Sequence, residues 1–387
     1  MFQFFPDNFM WSQALNRSMF TGGAFGEISW AAMQLTESAK TYDNDAWYTV
    51  LDGLGEKLRS RSKDQEDAGH FISARQSNLR AYSYYQWSIA FMDHGDDRRE
   101  PTYEKSLEAF AAFARLSSPT IERVEIPYEG TSFPAWFVPA DSSATRAAAS
   151  VYLPGWDSTK EQGIEFALTQ AERGMATLLC DSPGVGEAVA FRGLVNRYDY
   201  EVPSTAALDY LLSRTDVDPA RIAVVGLSLG GYRAARAAAF ERRFAAAVAW
   251  GAIWDFAKTW GNFRDNPRGA VPTPTAHALA VMGAETLEEV AEKLERWNLE
   301  GVAERIACPL LIVHGENDAL IPMEDAVRFY DEAGSSQKEL RVFTDQEGGS
   351  AHCQNDNRIM AHDYIGDWLS DLLHPSVPGP DATAGSP

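Results

Sequence analysis

The chain has 387 residues, 45% of them apolar and 12% aromatic, and a formal net charge of −21. That length suits one large α/β domain carrying a substantial extension, and the apolar content is enough for a large core. The charge excludes a nucleic-acid partner, whose phosphates need Lys and Arg clusters, and argues against an anionic membrane surface.

The first residues, "MFQFFPDNFMW", are apolar but lack a basic segment, a sustained apolar run and a small-residue cleavage site. They read as mature protein and not as a signal peptide. From about residue 10 to 118 the pattern is helical. "EISWAAMQLTESA", "DAWYTVLDGLGEKLRSRS", "AGHFISARQSNLRAYSYYQWSIAFM" and "PTYEKSLEAFAAFARLS" carry apolar residues three and four apart, with Pro and Gly kept to the joints. In the third of these, Tyr82, Tyr85 and Trp87 can face a ligand, although aromatics at such spacing more often fill a core.

Near residue 119 the texture changes. "IERVEIPYEG" and "SFPAWFVPA" predict two antiparallel strands joined by a Gly turn. Then come "AAASVYLPG", "ATLLCDSPG", "RIAVVGLS", "AAAVAWGA", "PLLIVHG" and "LRVFTD", short β-rich runs separated by helical segments. Such alternation predicts a mostly parallel, doubly wound sheet, with ligands bound at the carboxyl ends of its strands. The closing "HPSVPGPDATAGSP" has nothing to bury and predicts a disordered tail over 374–387.

The chemistry gathers in the loops. "GLSLGG", residues 226–231, follows the strand "RIAVV" and precedes the helical "YRAARAAAF". A G-x-S-x-G between strand and helix is a nucleophile turn, which lifts the Ser228 hydroxyl out of the sheet beside a helix N-terminus. A serine needs a base to take its proton and an acid to orient that base. Asp318 follows the strand "PLLIVHG", and His352 lies in "GGSAHCQNDN" after the next strand, giving the order Ser, Asp, His. Glu316 and Asp325 are rival acids. Asp318 is preferred because it lies just beyond its strand, whereas His314, at the end of that strand, reads as packed. For an oxyanion, the backbone N–H of Leu229 is one donor, and that of Trp156 in "LPGWDSTKEQ" is the second. Asp157 can orient a substrate group or cap a helix over "STKEQ". "DSPGVGE", residues 181–187, reads as a turn and lacks the lysine of a phosphate-binding loop.

Cys180, Cys308 and Cys353 are odd in number and have no CxxC spacing, which excludes a disulfide framework and a structural zinc site. They suit a reducing compartment, so the expectation is a cytoplasmic protein. No apolar run reaches bilayer length.

These motifs resemble the α/β-hydrolase superfamily over roughly residues 120–373. The helical first part, followed by "PGWDSTKE", "DSPGVGE", "GLSLGG", "WGAIWDF", "HGENDALIP" and "GGSAHCQNDN", looks like one subgroup. That subgroup contains the 2,6-dihydroxypseudooxynicotine hydrolases of nicotine breakdown and the fungal yellowish-green pigment hydrolases that shorten aromatic polyketides. The resemblance implies an α/β-hydrolase fold, a mostly parallel doubly wound sheet over 119–373, with an all-helical N-terminal cap over 1–118. It implies hydrolysis of a C–C bond beside a ketone in a small aromatic or polyketide-like substrate, with no metal and no cofactor. In the nicotine enzyme an extra carboxylate assists, and Asp255 in "IWDF" matches it by position. Trp254 and Tyr85 are further candidate substrate contacts. A carboxylesterase, thioesterase or acyltransferase would use the same triad, so that alternative stays open, as does a homodimer. A non-catalytic binder would usually lack a triad member. A peptidase of the prolyl-oligopeptidase kind would usually carry a propeller, which the helical first half argues against.

Overall fold

The computed structural model describes residues 1–142, 144–265 and 275–373, so the expected tail lies outside the described residues. Five helices come first: α1 (Phe9–Met19), α2 (Phe25–Leu35), α3 (Asn44–Asp67), α4 (Phe71–Ser88) and α5 (Arg99–Arg115). The last four match the segments predicted from spacing, and α1 is additional. Side chains cap two of these five helix starts: Asn8 accepts from the Trp11 N–H and Asp43 from the Ala46 N–H, each satisfying a donor the helix cannot. Helix α1 is buried almost all round, polar residues included, from Trp11 to Ser18.

The strands are β1 (Glu122–Tyr128), β2 (Thr131–Val138), β3 (Ala147–Leu153), β4 (Met175–Cys180), β5 (Val217–Leu227), β6 (Ala246–Trp250), β7 (Leu310–Gly315) and β8 (Lys338–Phe343). Between them lie α6 (Ile164–Glu172), α7 (Gly186–Arg192), α8 (Glu201–Ser213), α9 (Leu229–Phe240), α10 (Phe256–Asp265), α11 (Thr275–Met282), α12 (Leu287–Leu294) and α13 (Met323–Glu332), with α14 (Ile359–Leu373) after β8. They form one sheet in the order β1-β2-β4-β3-β5-β6-β7-β8. β1 pairs antiparallel with β2 and β2 with β4, while every pair from β4 onward is parallel.

The strand order reverses between β3 and β5, where Leu153 pairs with Gly226. Loops leaving two neighbouring strands in opposite directions open a crevice there, the usual place for a ligand in such sheets. β3 is buried along its whole length because both faces are covered. Its Ala149, Val151 and Leu153 join a core with α8 and α9; Ala148 and Tyr152 join the other. That second core runs without a break from Trp11, Leu51, Tyr82 and Phe110 of the helical part, through Trp136, Val225 and Val248, to α6 and α14. The N-terminal helices are thus packed onto the sheet domain as a cap. No helix among the described residues is long and apolar enough to cross a membrane.

Candidate active site

β5 turns into α9 at Ser228, whose backbone sits at φ 57°, ψ −120°. A non-Gly residue in that region is strained and must be held by its surroundings. Here the Ser228 N–H donates to the Trp250 carbonyl at 2.6 Å, and its own carbonyl accepts from Gly231 at 2.7 Å. A Cβ on Gly226 would collide with the Gly230 carbonyl, and one on Gly230 with the Leu153 carbonyl. The two glycines are what lets the chain turn this tightly.

His352 lies in the loop after β8, where Cys353 and Gln354 both take positive φ and swing the imidazole inward. Its Nε2 is 2.9 Å from the Ser228 Oγ, and its Nδ1 is 2.7 Å from the Asp318 Oδ2. With a carboxylate fixing the proton on Nδ1, Nε2 accepts from the serine hydroxyl. Asp318 is held in turn by the N–H groups of Leu320 and Ile321, which donate to its Oδ1 at 2.9 and 3.0 Å. Of the rival acids, Glu316 accepts from the Asp345 N–H at 3.0 Å, and Asp325 lies 3.7 Å from Lys258. Neither makes a recorded contact with His352.

Electrostatics couples the pair. Burial opposes a charge on His352, but the Asp318 carboxylate and the neighbouring Cys353 outweigh it and hold the imidazole well above its usual pKa. Burial likewise raises Asp318, and the attraction and hydrogen bond of His352 overcome it, leaving the carboxyl below its usual value. The Cys353 Sγ lies 3.5 Å from both His352 Nε2 and the Trp250 carbonyl.

The loop after β3 passes directly over Ser228: an added Cβ at Gly155 would lie 3.2 Å from the Ser228 Cβ. Trp156 follows, buried, its ring against Phe256 and Trp260 at 5.2 and 5.6 Å. Leu229 is the first residue of α9, so its N–H has no carbonyl one turn back to accept it.

The other candidates are placed elsewhere. Asp157 is paired in two-pronged fashion with Arg17 of α1, at 2.6 and 3.2 Å. It does not cap a helix, because Thr159 stands at the N-cap of the 3₁₀ turn over Lys160–Gly163. Asp255 accepts from the Lys258 N–H at 3.1 Å at the start of α10 and pairs backbone-to-backbone with Asn298. Trp254 is buried against Phe329, with the Arg328 guanidinium 4.5 Å from its ring. Tyr85 is buried in the helical core, pressed on Gly55 of α3. His314 is buried as expected, and burial lowers its pKa.

One cluster was not anticipated. Lys160 is fully buried with its Nζ 2.7 Å from Glu161, 2.8 Å from Asp181 and also against Glu187. Arg123 grips Glu187 at 2.7 and 2.8 Å, and the Trp136 indole donates to Glu161 at 2.9 Å. Three carboxylates so close would suit a cation, and the lysine ammonium occupies that place. Burial opposes its charge, but Asp181, Glu161 and Glu187 hold its pKa above the ordinary value. In the sequence, "STKE" and "DSPGVGE" look like a helix start and a turn; only the adjacency of β3 and β4 brings their charges together.

The chain is similar to known proteins. The 2,6-dihydropseudooxynicotine hydrolase of Paenarthrobacter nicotinovorans is 27% identical over 336 residues, covering 84% of each chain. The α/β hydrolase gkaG of Penicillium citrinum is 29% identical over 353 residues, covering 80% of this chain and 82% of its own. The crystal structure of the 2,6-dihydroxy-pseudo-oxynicotine hydrolase superposes with a TM-score of 0.79 at 26% identity, over 93% of this chain and 95% of that one. A family model, the prolyl oligopeptidase family, matches residues 168–376. That match starts in α6 and takes in the sheet from β4 onward, so it concerns the hydrolase part, while α1–α5 and then β1–β3, and not propeller blades, precede it among the described residues. The chain is a hydrolase of the α/β-hydrolase fold and belongs to the prolyl oligopeptidase family.

Proposed function

We propose that the chain is a serine hydrolase that cleaves a C–C bond beside a ketone, in an aromatic or polyketide-like substrate, through an acyl-enzyme. The observation that carries the serine-hydrolase part of this reading is the unbroken relay from Ser228 through His352 to Asp318. As the Ser228 Oγ bonds to the ketone carbon, its proton passes to His352 Nε2, and Asp318 stabilises the imidazolium. The N–H groups of Leu229 and Trp156 receive the oxyanion. When the tetrahedral adduct collapses, the C–C bond breaks and its electron pair leaves on carbon. His352 returns the proton to that carbon. Water, deprotonated by the same imidazole, then releases a carboxylic acid and restores the serine. A carbon leaving group is tolerable only if its charge is delocalised into a second carbonyl or a phenolic ring, so the substrate is a β-diketone or an acylated polyhydroxy ring. No step is assigned to Asp255, whose carboxylate caps α10.

The C–C assignment draws its support from likeness to the pseudooxynicotine hydrolase along most of both chains. It is tested on a panel of β-diketones, acyl phloroglucinols and p-nitrophenyl esters in H₂¹⁸O and in D₂O. The expected result is cleavage of the ketones, with ¹⁸O in the released acid and deuterium on the cleaved carbon. Fast ester turnover with every ketone left intact would instead assign a carboxylesterase, thioesterase or acyltransferase.

A further inference from the structure

The loop Pro154–Asp157, which passes over Ser228 at Gly155, is gripped by charged and aromatic side chains. The Pro154 carbonyl accepts from Arg233 at 2.7 Å, and Arg233 belongs to α9, the helix that begins at the nucleophile. The Trp156 carbonyl is 3.1 Å from the Nε2 of His277 on α11. A carbonyl only accepts, so the proton of His277 is on Nε2, and its bare Nδ1 accepts from His94 Nε2, 3.3 Å away. Both rings are then neutral. Burial, with Arg99 and His277 adding to it, pushes His94 down to about 3, and burial also lowers His277. Finally, Asp157 is held by the fork of Arg17, whose guanidinium lies 4.8 Å from the Trp87 ring.

Two of these holds originate in the cap. Arg17 is on α1, and His94 lies in the link between α4 and α5. The histidine pair grips the Trp156 carbonyl, in the peptide that follows the 155–156 peptide, and the fork grips the side-chain carboxylate of Asp157, the next residue. Swinging the 155–156 peptide would therefore strain both contacts at once. Nothing else recorded for Arg17 or His277 recruits them to the triad itself, whose hydrogen bonds are complete without them.

We propose that the cap assembles the oxyanion hole: Arg17 and the His94–His277 pair are positioning residues that fix the Trp156 N–H against Ser228. The inference rests on the reading of Ser228 as nucleophile and of Trp156 as oxyanion donor. It makes cap docking a condition for fast chemistry and not only for substrate binding. A donor displaced by an ångström acts on the transition state far more than on the bound ground state, so turnover falls while substrate affinity changes little.

The test uses the full chain and two acylation-like probes, diethyl p-nitrophenyl phosphate and its P=S analogue. Each forms a bond from the Ser228 Oγ to phosphorus and expels p-nitrophenolate, while the serine proton goes to His352. Oxygen in the hole accepts strong hydrogen bonds and sulfur accepts weak ones, so a working hole favours the P=O probe. His277→Ala and Arg17→Ala are expected to slow the P=O reaction by about 10- to 100-fold and the P=S reaction much less. His277→Gln, which can both donate to the carbonyl and accept from His94, should restore most of the preference, and Arg17→Lys part of it. A loss equal for both probes, or none, would overturn the positioning role, because a merely structural defect does not discriminate oxygen from sulfur. Labelling that persists in Ser228→Ala, or no labelling of the wild type, would instead fail the nucleophile reading. A wild type reacting normally but with a P=O to P=S ratio matching that in solution would fail the oxyanion-donor reading.

Discussion

At the residue scale, the relay acts as a unit, so its members are not additive. Ser228→Ala and His352→Ala are each expected to lower turnover by several orders of magnitude with the circular-dichroism spectrum unchanged. Residual turnover near wild type in either would be incompatible with the mechanism. The pH profile follows from the coupled pair. The proposed mechanism needs neutral His352, whose pKa lies above the usual value, so the acid limb of kcat/KM should fall above pH 6.5 and not below it. Removing the charge that raises it, with Asp318→Asn, should move that limb to lower pH while cutting turnover. The same raised pKa adds stability below the unfolded value of about 6.5, lost as pH rises through the folded one. These residues are legible in the sequence because each follows a strand and the fold dictates their order. Arg17, His94 and His277 are not legible. They act through contacts across 140 and 121 residues of chain for Arg17–Asp157 and His277–Trp156, and no local pattern announces such pairs.

At the scale of elements, every strand predicted from β-rich runs is present, since those runs are short, rich in β-branched and aromatic residues, and bounded by turn residues. Helix α1 lies within the stretch read as helical, but no periodic segment marks it, for a physical reason. A helix buried on all sides needs no apolar stripe, and Ser12, Gln13, Asn16 and Arg17 are buried along with Trp11 and Leu15. Asp255 shows the converse, a position matched to a catalytic role but occupied by a helix cap. Asp255→Ala should therefore cost roughly 0.5–2 kcal/mol of stability. Asp255→Asn, an equally good cap, should leave both stability and turnover near wild type. A turnover collapse in the Asn variant alone would return a chemical role to this carboxylate. The buried cluster around Lys160 predicts a larger effect. Lys160→Met would leave Glu161, Asp181 and Glu187 without their ammonium, and breaking a buried pair typically costs about 3–5 kcal/mol. Urea unfolding would read this directly, and a loss under about 1 kcal/mol would mean the carboxylates had already found other partners.

At the scale of the whole molecule, the cap is not a detachable lid. Its aromatic residues and the strand side chains Trp136, Tyr152 and Val225 belong to one apolar cluster, and Trp136 packs on Phe110 at 5.1 Å. Calorimetry of the full chain should accordingly show one transition. A fragment comprising residues 119–373 should expose that cluster and precipitate or bind a hydrophobic dye. Two separated transitions, or a well-behaved fragment, would contradict the shared core. The passage from helices to strands, between Arg115 and Glu122, is legible as a change of texture. The continuity of packing across it is not, since sequence shows which residues are apolar and not which neighbours they meet.

The turn around Ser228 has a consequence for how such a chain can diverge. At Gly226, Gly230 and Gly231 the space for a side chain is already filled by main-chain carbonyls of Gly230, Leu153 and Gly251. Drift cannot explore these positions, because every alternative residue arrives as a steric conflict with backbone that no rotamer relieves. Ser228 is thus pinned by the turn that carries it, and novelty in substrate range has to be written into the helices and loops around it. Laboratory libraries aimed at new specificities will return viable clones from the cap and from α10–α12, and almost none from the turn.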